Sequence, residues 1–216
     1  MKHPPFRCTI IELKDSTNSR SHGVNMIKNL LKLTVLLTLF TLAFAQSGLQ
    51  VGDQVPAFSA PADDGSTWRS NDYLGEKYLV VYFYPAAMTG GCTAQACTYR
   101  DSQDEMADAD ALVIGISGDE VDGLALFRKA NNLNFPLLSD PDGKLASMFG
   151  VPTREGGTLS RELAGEFHEL RRGVTASRWT FVIGKDGKLL YKNEEVNPEQ
   201  DPEQVLAFIK KHQASS

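Results

Sequence analysis

Cys92 and Cys97 stand five residues apart in YPAAMTGGCTAQACTYRD, residues 84–101, where a dense apolar stretch gives way to a helix-forming one. A cysteine in the first turn of a helix faces unpaired backbone N–H groups and the positive end of the helix dipole, so its thiolate is stabilised. The thiolate is the nucleophile, and attack on an O–O bond needs that anion together with donors for the departing oxygen. Thr89, three residues before Cys92, can set its hydroxyl beside the sulfur, accepting one hydrogen bond and donating another to a bound peroxide oxygen. Gly90 and Gly91 allow close backbone approach, and Pro85 closes the strand and shields the sulfur and its first oxidation product, a sulfenic acid.

The spacing of the pair carries its own chemistry. Residues five apart on an ideal helix have Cα atoms roughly 8.6 Å apart, while a disulfide needs less than about 7 Å. Cys97 therefore reaches the Cys92 sulfenic acid only if the first helical turn unwinds, which suits a bridge made and broken in each cycle. The plain alternative is a turn followed by a helix cap, with a cysteine pair of no redox role.

Elements that could position the pair follow from periodicity. Tyr78 to Tyr84 (YLVVYFY) is apolar on both faces and ends at Pro85, as a central buried strand does, and Leu112 to Ser117 (LVIGIS) is a second. A helix over Thr93 to Ala109 between them makes a βαβ unit. Glu120 to Asn131 reads as a helix, Pro136 to Leu138 as a short strand and Lys144 to Phe149 as a helical turn. Trp179 to Ile183 and Leu189 to Asn193 flank Gly184-Lys185-Asp186-Gly187 and should pair antiparallel. Pro202 to His212 forms an amphipathic closing helix capped by Asp201, and Val51 to Ser70 a short hairpin or extended lead-in. The long Gly-, Arg- and Glu-rich stretch from Thr153 to Gly173 shows a helix-like middle at Leu159 to Leu170, and reads as a surface insertion rather than a lid.

Composition narrows the partners. In 216 residues, 42% are apolar and 23% charged, with a formal net charge of -5. That balance supports one domain with a proper core and gives no electrostatic basis for holding nucleic acid or an anionic membrane. Residues 1–45 are set apart as an N-terminal extension and targeting segment. Met26-Ile27-Lys28-Asn29 and Lys32 form a basic lead, Leu33 to Phe44 an apolar run, and Ala43-Phe44-Ala45 a small-residue cleavage site. The run is short of the ~20 apolar residues of a spanning helix, so it reads as a secretory signal, with an uncleaved tether as the alternative. The polar residues 1–25 make Met26 a candidate start. Cleavage after Ala45 removes Cys8, leaving Cys92 and Cys97 as a lone pair in an exported domain of residues 46–216, better suited to redox exchange than to stapling.

The pattern Pro85-x-x-x-Thr89-x-x-Cys92, with the CTAQAC spacing, resembles the peroxiredoxin family, specifically its bacterioferritin-comigratory or PrxQ branch. Val51-Gly52-Asp53-Gln54-Val55-Pro56-Ala57-Phe58, Arg100-Asp101, Phe149-Gly150-Val151-Pro152 and Arg178-Trp179-Thr180-Phe181-Val182-Ile183 extend the likeness from about Val51 to about Lys211. The resemblance implies an α/β thioredoxin-like fold with a central mixed sheet flanked by helices, and reduction of hydrogen peroxide or organic hydroperoxides. It also implies recycling by a thioredoxin-like dithiol, no cofactor and no metal, and a monomer. It gives Cys92 the peroxidatic role, Cys97 the resolving role, and Arg178 the part of a fixed positive charge that holds the thiolate and polarises the peroxide. Three features depart from the branch. Gly90 stands where a proline is usual, Gln95 where a glutamate is usual, and Ala86-Ala87-Met88 replaces a more polar stretch. The 153–173 insertion, with His168, inherits nothing from the likeness.

Two rival readings come from other classes. A thiol-disulfide oxidoreductase of exported proteins would use a C-x-x-C pair, whereas four residues separate these cysteines. A metal carrier would need a further ligand near the pair, and the mature chain offers only His168 and His212, neither near a motif.

Overall fold

The computed structural model describes residues 48–163 and 165–215, so the signal reading, with Cys8, Met26 and the Leu33 to Phe44 run, lies outside the described residues. The chain enters through a small hairpin of β1 (Ser59–Pro61) and β2 (Thr67–Arg69). β3 (Tyr78–Phe83) follows, with every residue buried. It lies between β4 (Ala111–Ser117), parallel to it, and β8 (Trp179–Ile183), antiparallel to it. With β5 (Leu137–Ser139) and β9 (Leu189–Asn193) at the edges, the sheet order is β5-β4-β3-β8-β9, the mixed thioredoxin-like sheet that the resemblance implied.

Alternation along β3 sorts the core into two layers. Val80 and Tyr82 point to the face covered by α1 (Gly90–Asp101), α2 (Gln103–Asp108), α3 (Val121–Asn131) and α5 (Asp201–Gln213). Leu79, Val81 and Phe83 point to the other, where α4 (Lys144–Phe149) and the entry hairpin pack through Phe149, Trp68 and Phe58. Both parallel connections run through helices on the first face, so the catalytic candidate Cys92 belongs to that layer. The β8–β9 turn closes with Gly187 at φ +80°, as the DG signal requires. Among the described residues no helix is long and apolar enough to cross a membrane.

Three expectations need correction. The helix expected from Thr93 to Ala109 starts earlier and is broken. The Thr93 N–H donates to the Thr89 carbonyl at 2.8 Å, making Thr89 the N-cap and bringing both glycines and Cys92 inside the helix. The break falls at Ser102, whose hydroxyl donates to the Thr98 carbonyl at 2.9 Å, a back-bond that bends helices. Asp201 does not cap α5. Gln200 takes the cap position, and the Asp201 side chain turns into the core, fully buried.

The helix-like middle at Leu159 to Leu170 is not a helix. Residues 153–176 form a long antiparallel hairpin of β6 (Thr153–Leu163) and β7 (Glu166–Ala176). Leu159, Leu163, Phe167 and Leu170 are spaced as one helical face would be, but in the hairpin Leu159 lies opposite Leu170, and Phe167 projects into solvent, 77% exposed. Gly156-Gly157 disfavours a helix here, and Gly165 at φ +88° supplies the turn.

Candidate active site

β3 and β8 run antiparallel with Phe83 opposite Trp179, so the C-terminal end of one and the N-terminal end of the other meet at a single edge of the sheet. β3 leads from that edge into the loop before α1, and β8 begins there directly after Arg178. This pairing carries Arg178 across 86 positions of sequence to Cys92, the third residue of α1, where its Nη2 donates to Sγ at 3.2 Å. Cys92 is 2% exposed. The sulfur therefore faces one fixed cation near the positive end of a twelve-residue helix, in a place largely closed to water.

The loop from Tyr84 to Thr89 is tied at several points. The Ala87 N–H donates to Asp119 Oδ2 at 2.8 Å, and the same oxygen accepts from the Ser117 hydroxyl at the end of β4. Burial pushes the Asp119 carboxyl above its ordinary range, against the pull of those two hydrogen bonds. Met88 sits in the left-handed region at φ +61°, and its carbonyl accepts from Arg161 Nε of the hairpin at 3.1 Å. Pro85 is half-buried at the strand end. The Thr89 hydroxyl donates to the Ala86 carbonyl at 2.9 Å, so donation to a peroxide requires it to exchange that partner.

Behind Arg178 stands a buried polar group that the sequence reading did not assemble. Arg178 Nη1 donates to Gln95 Oε1. Gln95 Nε2 donates to Asp201 Oδ2 at 2.8 Å, and that oxygen also accepts from the Tyr99 hydroxyl at 2.7 Å and the Thr180 hydroxyl at 2.8 Å. Burial raises the Asp201 carboxyl, opposed by those three donors and by the Arg178 charge. Tyr99 is pushed well up by burial and then by Asp201, and Tyr82 by burial and then by Cys92, so both phenols stay protonated. Gln95 stood out in sequence only as a departure from a family pattern. Asp201 gave no signal beyond an Asp-Pro helix start.

Cys97 is the eighth residue of the same unbroken helix, half-buried, and like Cys92 a free thiol. Its sulfur accepts from Arg100 Nη1 at 3.6 Å and lies 4.0 Å from Asn131 Oδ1, a long contact. Arg100 is itself held by the Asn131 carbonyl at 2.7 Å and the Asp101 carboxylate at 2.8 Å. The structure thus gathers Cys92, Gln95 and Arg178 at one point, with Thr89 and Pro85 in the loop ahead, and leaves Cys97 among different neighbours. His168 lies in the hairpin opposite Arg161, outside this group. Among the described residues no three His, Cys, Asp or Glu side chains come together as a metal site.

Comparison with known proteins adds the following. Residues 51–192 match the AhpC/TSA family. The chain is 37% identical over 164 residues to peroxiredoxin Bcp of Escherichia coli, covering 76% of this chain and 97% of that protein. To peroxiredoxin Bcp of Bacillus subtilis it is 35% identical over 162 residues, covering 75% and 96%. The crystal structure of peroxidoxin BcpB from Mycobacterium tuberculosis matches with a TM-score of 0.63 and 35% identity, over 76% of this chain and 97% of its own.

Proposed function

The chain belongs to the AhpC/TSA family and is a peroxiredoxin, a thiol-dependent peroxidase, and from that premise we propose that Cys92 is its peroxidatic cysteine and Cys97 its resolving cysteine. The observation that carries the reading is the Arg178 guanidinium, 3.2 Å from the Cys92 sulfur at the start of α1. The Cys92 thiolate attacks one oxygen of the peroxide, the O–O bond breaks, and the other oxygen leaves as an alcohol or water after taking up a proton. Cys92 is then a sulfenic acid. Arg178 favours this step by holding the anion and meeting the charge that develops on oxygen. Thr89 orients the peroxide, and Pro85 limits the access of water.

In the second step the Cys97 thiolate attacks the Cys92 sulfur, the S–O bond breaks, the hydroxyl leaves as water after taking up the proton that Cys97 released, and a disulfide forms. Both cysteines sit in one intact helix, so the first turn must open before the sulfurs meet. A thioredoxin-like dithiol then returns the pair to thiols. The test is to mix reduced protein with one equivalent of hydrogen peroxide and follow it by stopped-flow fluorescence and mass spectrometry. Rapid oxidation should end in an intramolecular Cys92–Cys97 disulfide. A Cys92→Ser protein that is oxidised as fast as wild type would sink the assignment.

Export rests on a separate observation, the basic lead and apolar run of residues 26–45. The mature enzyme then begins at Gln46 outside the cytoplasm. N-terminal sequencing of fractionated cells checks this, and a cytosolic product retaining Met26 overturns it.

A further inference from the structure

The geometry points to Asp201 as a positioning residue for the peroxide step, acting on Arg178 through the Gln95 amide; this rests on the reading of Arg178 given above. Three hydrogen-bonding inventories interlock here. A guanidinium only donates, a carboxylate only accepts, and a primary amide has one end of each kind. Asp201 Oδ2 takes the Gln95 Nε2 donor at 2.8 Å, so only the Gln95 oxygen is left to face Arg178. With the amide turned the other way, two donors would oppose each other at Arg178 and a carboxylate would face an amide oxygen. Asp201 therefore decides which end of Gln95 the arginine meets.

The carboxylate is itself held by two further donors, Tyr99 of α1 at 2.7 Å and Thr180 of β8 at 2.8 Å. Tyr99, Gln95 and Cys92 belong to one helix, and Thr180 lies two residues after Arg178. Asp201 thus ties the helix that carries the sulfur to the strand that begins directly after the cation. Gln95 and Asp201 are both fully buried, so water does not compete for these bonds. With Nη1 taken by Gln95, the guanidinium plane is fixed and Nη2 is aimed at Sγ. No step of the reaction consumes Asp201; its contribution is an arginine already oriented when the peroxide arrives.

The test measures the second-order rate constant for hydrogen peroxide oxidation of Cys92 in full-length variants, with thermal melting as a check on folding. Asp201→Leu removes the acceptor and frees Gln95 to turn, and should slow oxidation about tenfold. Adding Gln95→Glu to that variant should restore most of the rate, because a carboxylate presents oxygen to Arg178 whichever way it turns. A generic packing defect at position 201 would not be repaired by that change. Gln95→Leu alone should also slow oxidation about tenfold with Asp201 intact, which keeps the idea testable if Asp201→Leu does not fold. Wild-type rates in Asp201→Leu or Gln95→Leu, or a double variant as slow as Asp201→Leu, would overturn the relay. Arg178→Met separates the two readings. If that variant is also fast, the role of Arg178 itself fails; if it is slow while the others are fast, only the relay fails.

Discussion

The two sulfurs of this enzyme lie on one helix and in opposite kinds of surroundings. Cys92 is nearly sealed, with an arginine at 3.2 Å that is itself fixed by a buried amide and carboxylate. Cys97 is half-buried, and its two polar neighbours stand at 3.6 and 4.0 Å. Fixed contacts are concentrated at Cys92, where a charge must be met at a set distance, and they are the contacts that opening of the first turn would have to release. The Cys97 side is not featureless, since Arg100 there is also anchored, but its bonds go to the Asn131 carbonyl and to Asp101 rather than into the core.

The contrast is broken most decisively by exchanging the two arginines for methionine in turn. Arg178→Met should slow sulfenic acid formation about a hundredfold, the scale of losing one preorganised donor to developing charge. Arg100→Met should change that step by less than about twofold, because its guanidinium donates to the Cys97 sulfur rather than to Cys92 and a partly exposed charge contributes little beyond its own contacts. Stopped-flow oxidation of both proteins checks this, and equal rates would show that the two surroundings do not differ in the way argued.

The mobility of the helix start is sharpened by two smaller changes of opposite sign. Arg161 of the hairpin donates to the Met88 carbonyl, two residues before the helix begins, and so restrains the loop whose opening the proposed disulfide step requires. Arg161→Ala should speed disulfide formation about two- to fivefold, the worth of one partly exposed hydrogen bond. Gly90→Ala meets no steric obstacle, since nothing lies within 4 Å of the position its Cβ would take. It should stabilise the first turn by about 0.5 kcal/mol and slow disulfide formation about twofold. Rapid quench with mass spectrometry after one turnover separates this step from the first oxidation. No change in either variant would mean that the turn does not limit resolution.

The central strands and the cysteine motif were legible in the sequence; the hairpin and the buried group behind Arg178 were not. β3 and β4 are short runs apolar on both faces, which only a central strand accommodates, and α4 was placed with its observed bounds. Cys92, Thr89 and Pro85 share one motif, and Arg178 was identified through likeness to a family; spacing alone could not bring it to Cys92 from 86 residues away. The hairpin failed because four apolar residues at helical intervals also fit two facing strands. Asp201 failed for a related reason. An Asp before a Pro at the start of an amphipathic helix has the look of a cap, and nothing local tells that its partner is Gln95, 106 positions earlier.

The smallest effect concerns two carboxyls, one at each end of the contrast. Asp201, behind Cys92, is raised by burial, while Asp101, beside Arg100, is lowered by its hydrogen bond to that arginine and is fully exposed. A carboxyl raised in the folded state binds more protons there than in the unfolded chain. Its contribution to stability is therefore complete below the unfolded value of 3.8 and is lost as pH rises through the raised one. Asp101 has the opposite sign, with stability present above 3.8 and lost on acidification, but solvent screening leaves it little weight. Asp201→Asn can keep an oxygen on the three donors while dropping the charge. Denaturant unfolding of wild type and Asp201→Asn across the weakly acidic range should show the wild type losing ground to the variant as pH rises. The reverse slope would mean that the hydrogen bonds from Gln95, Tyr99 and Thr180 outweigh burial, and that the carboxylate behind Arg178 is stabilised by its site.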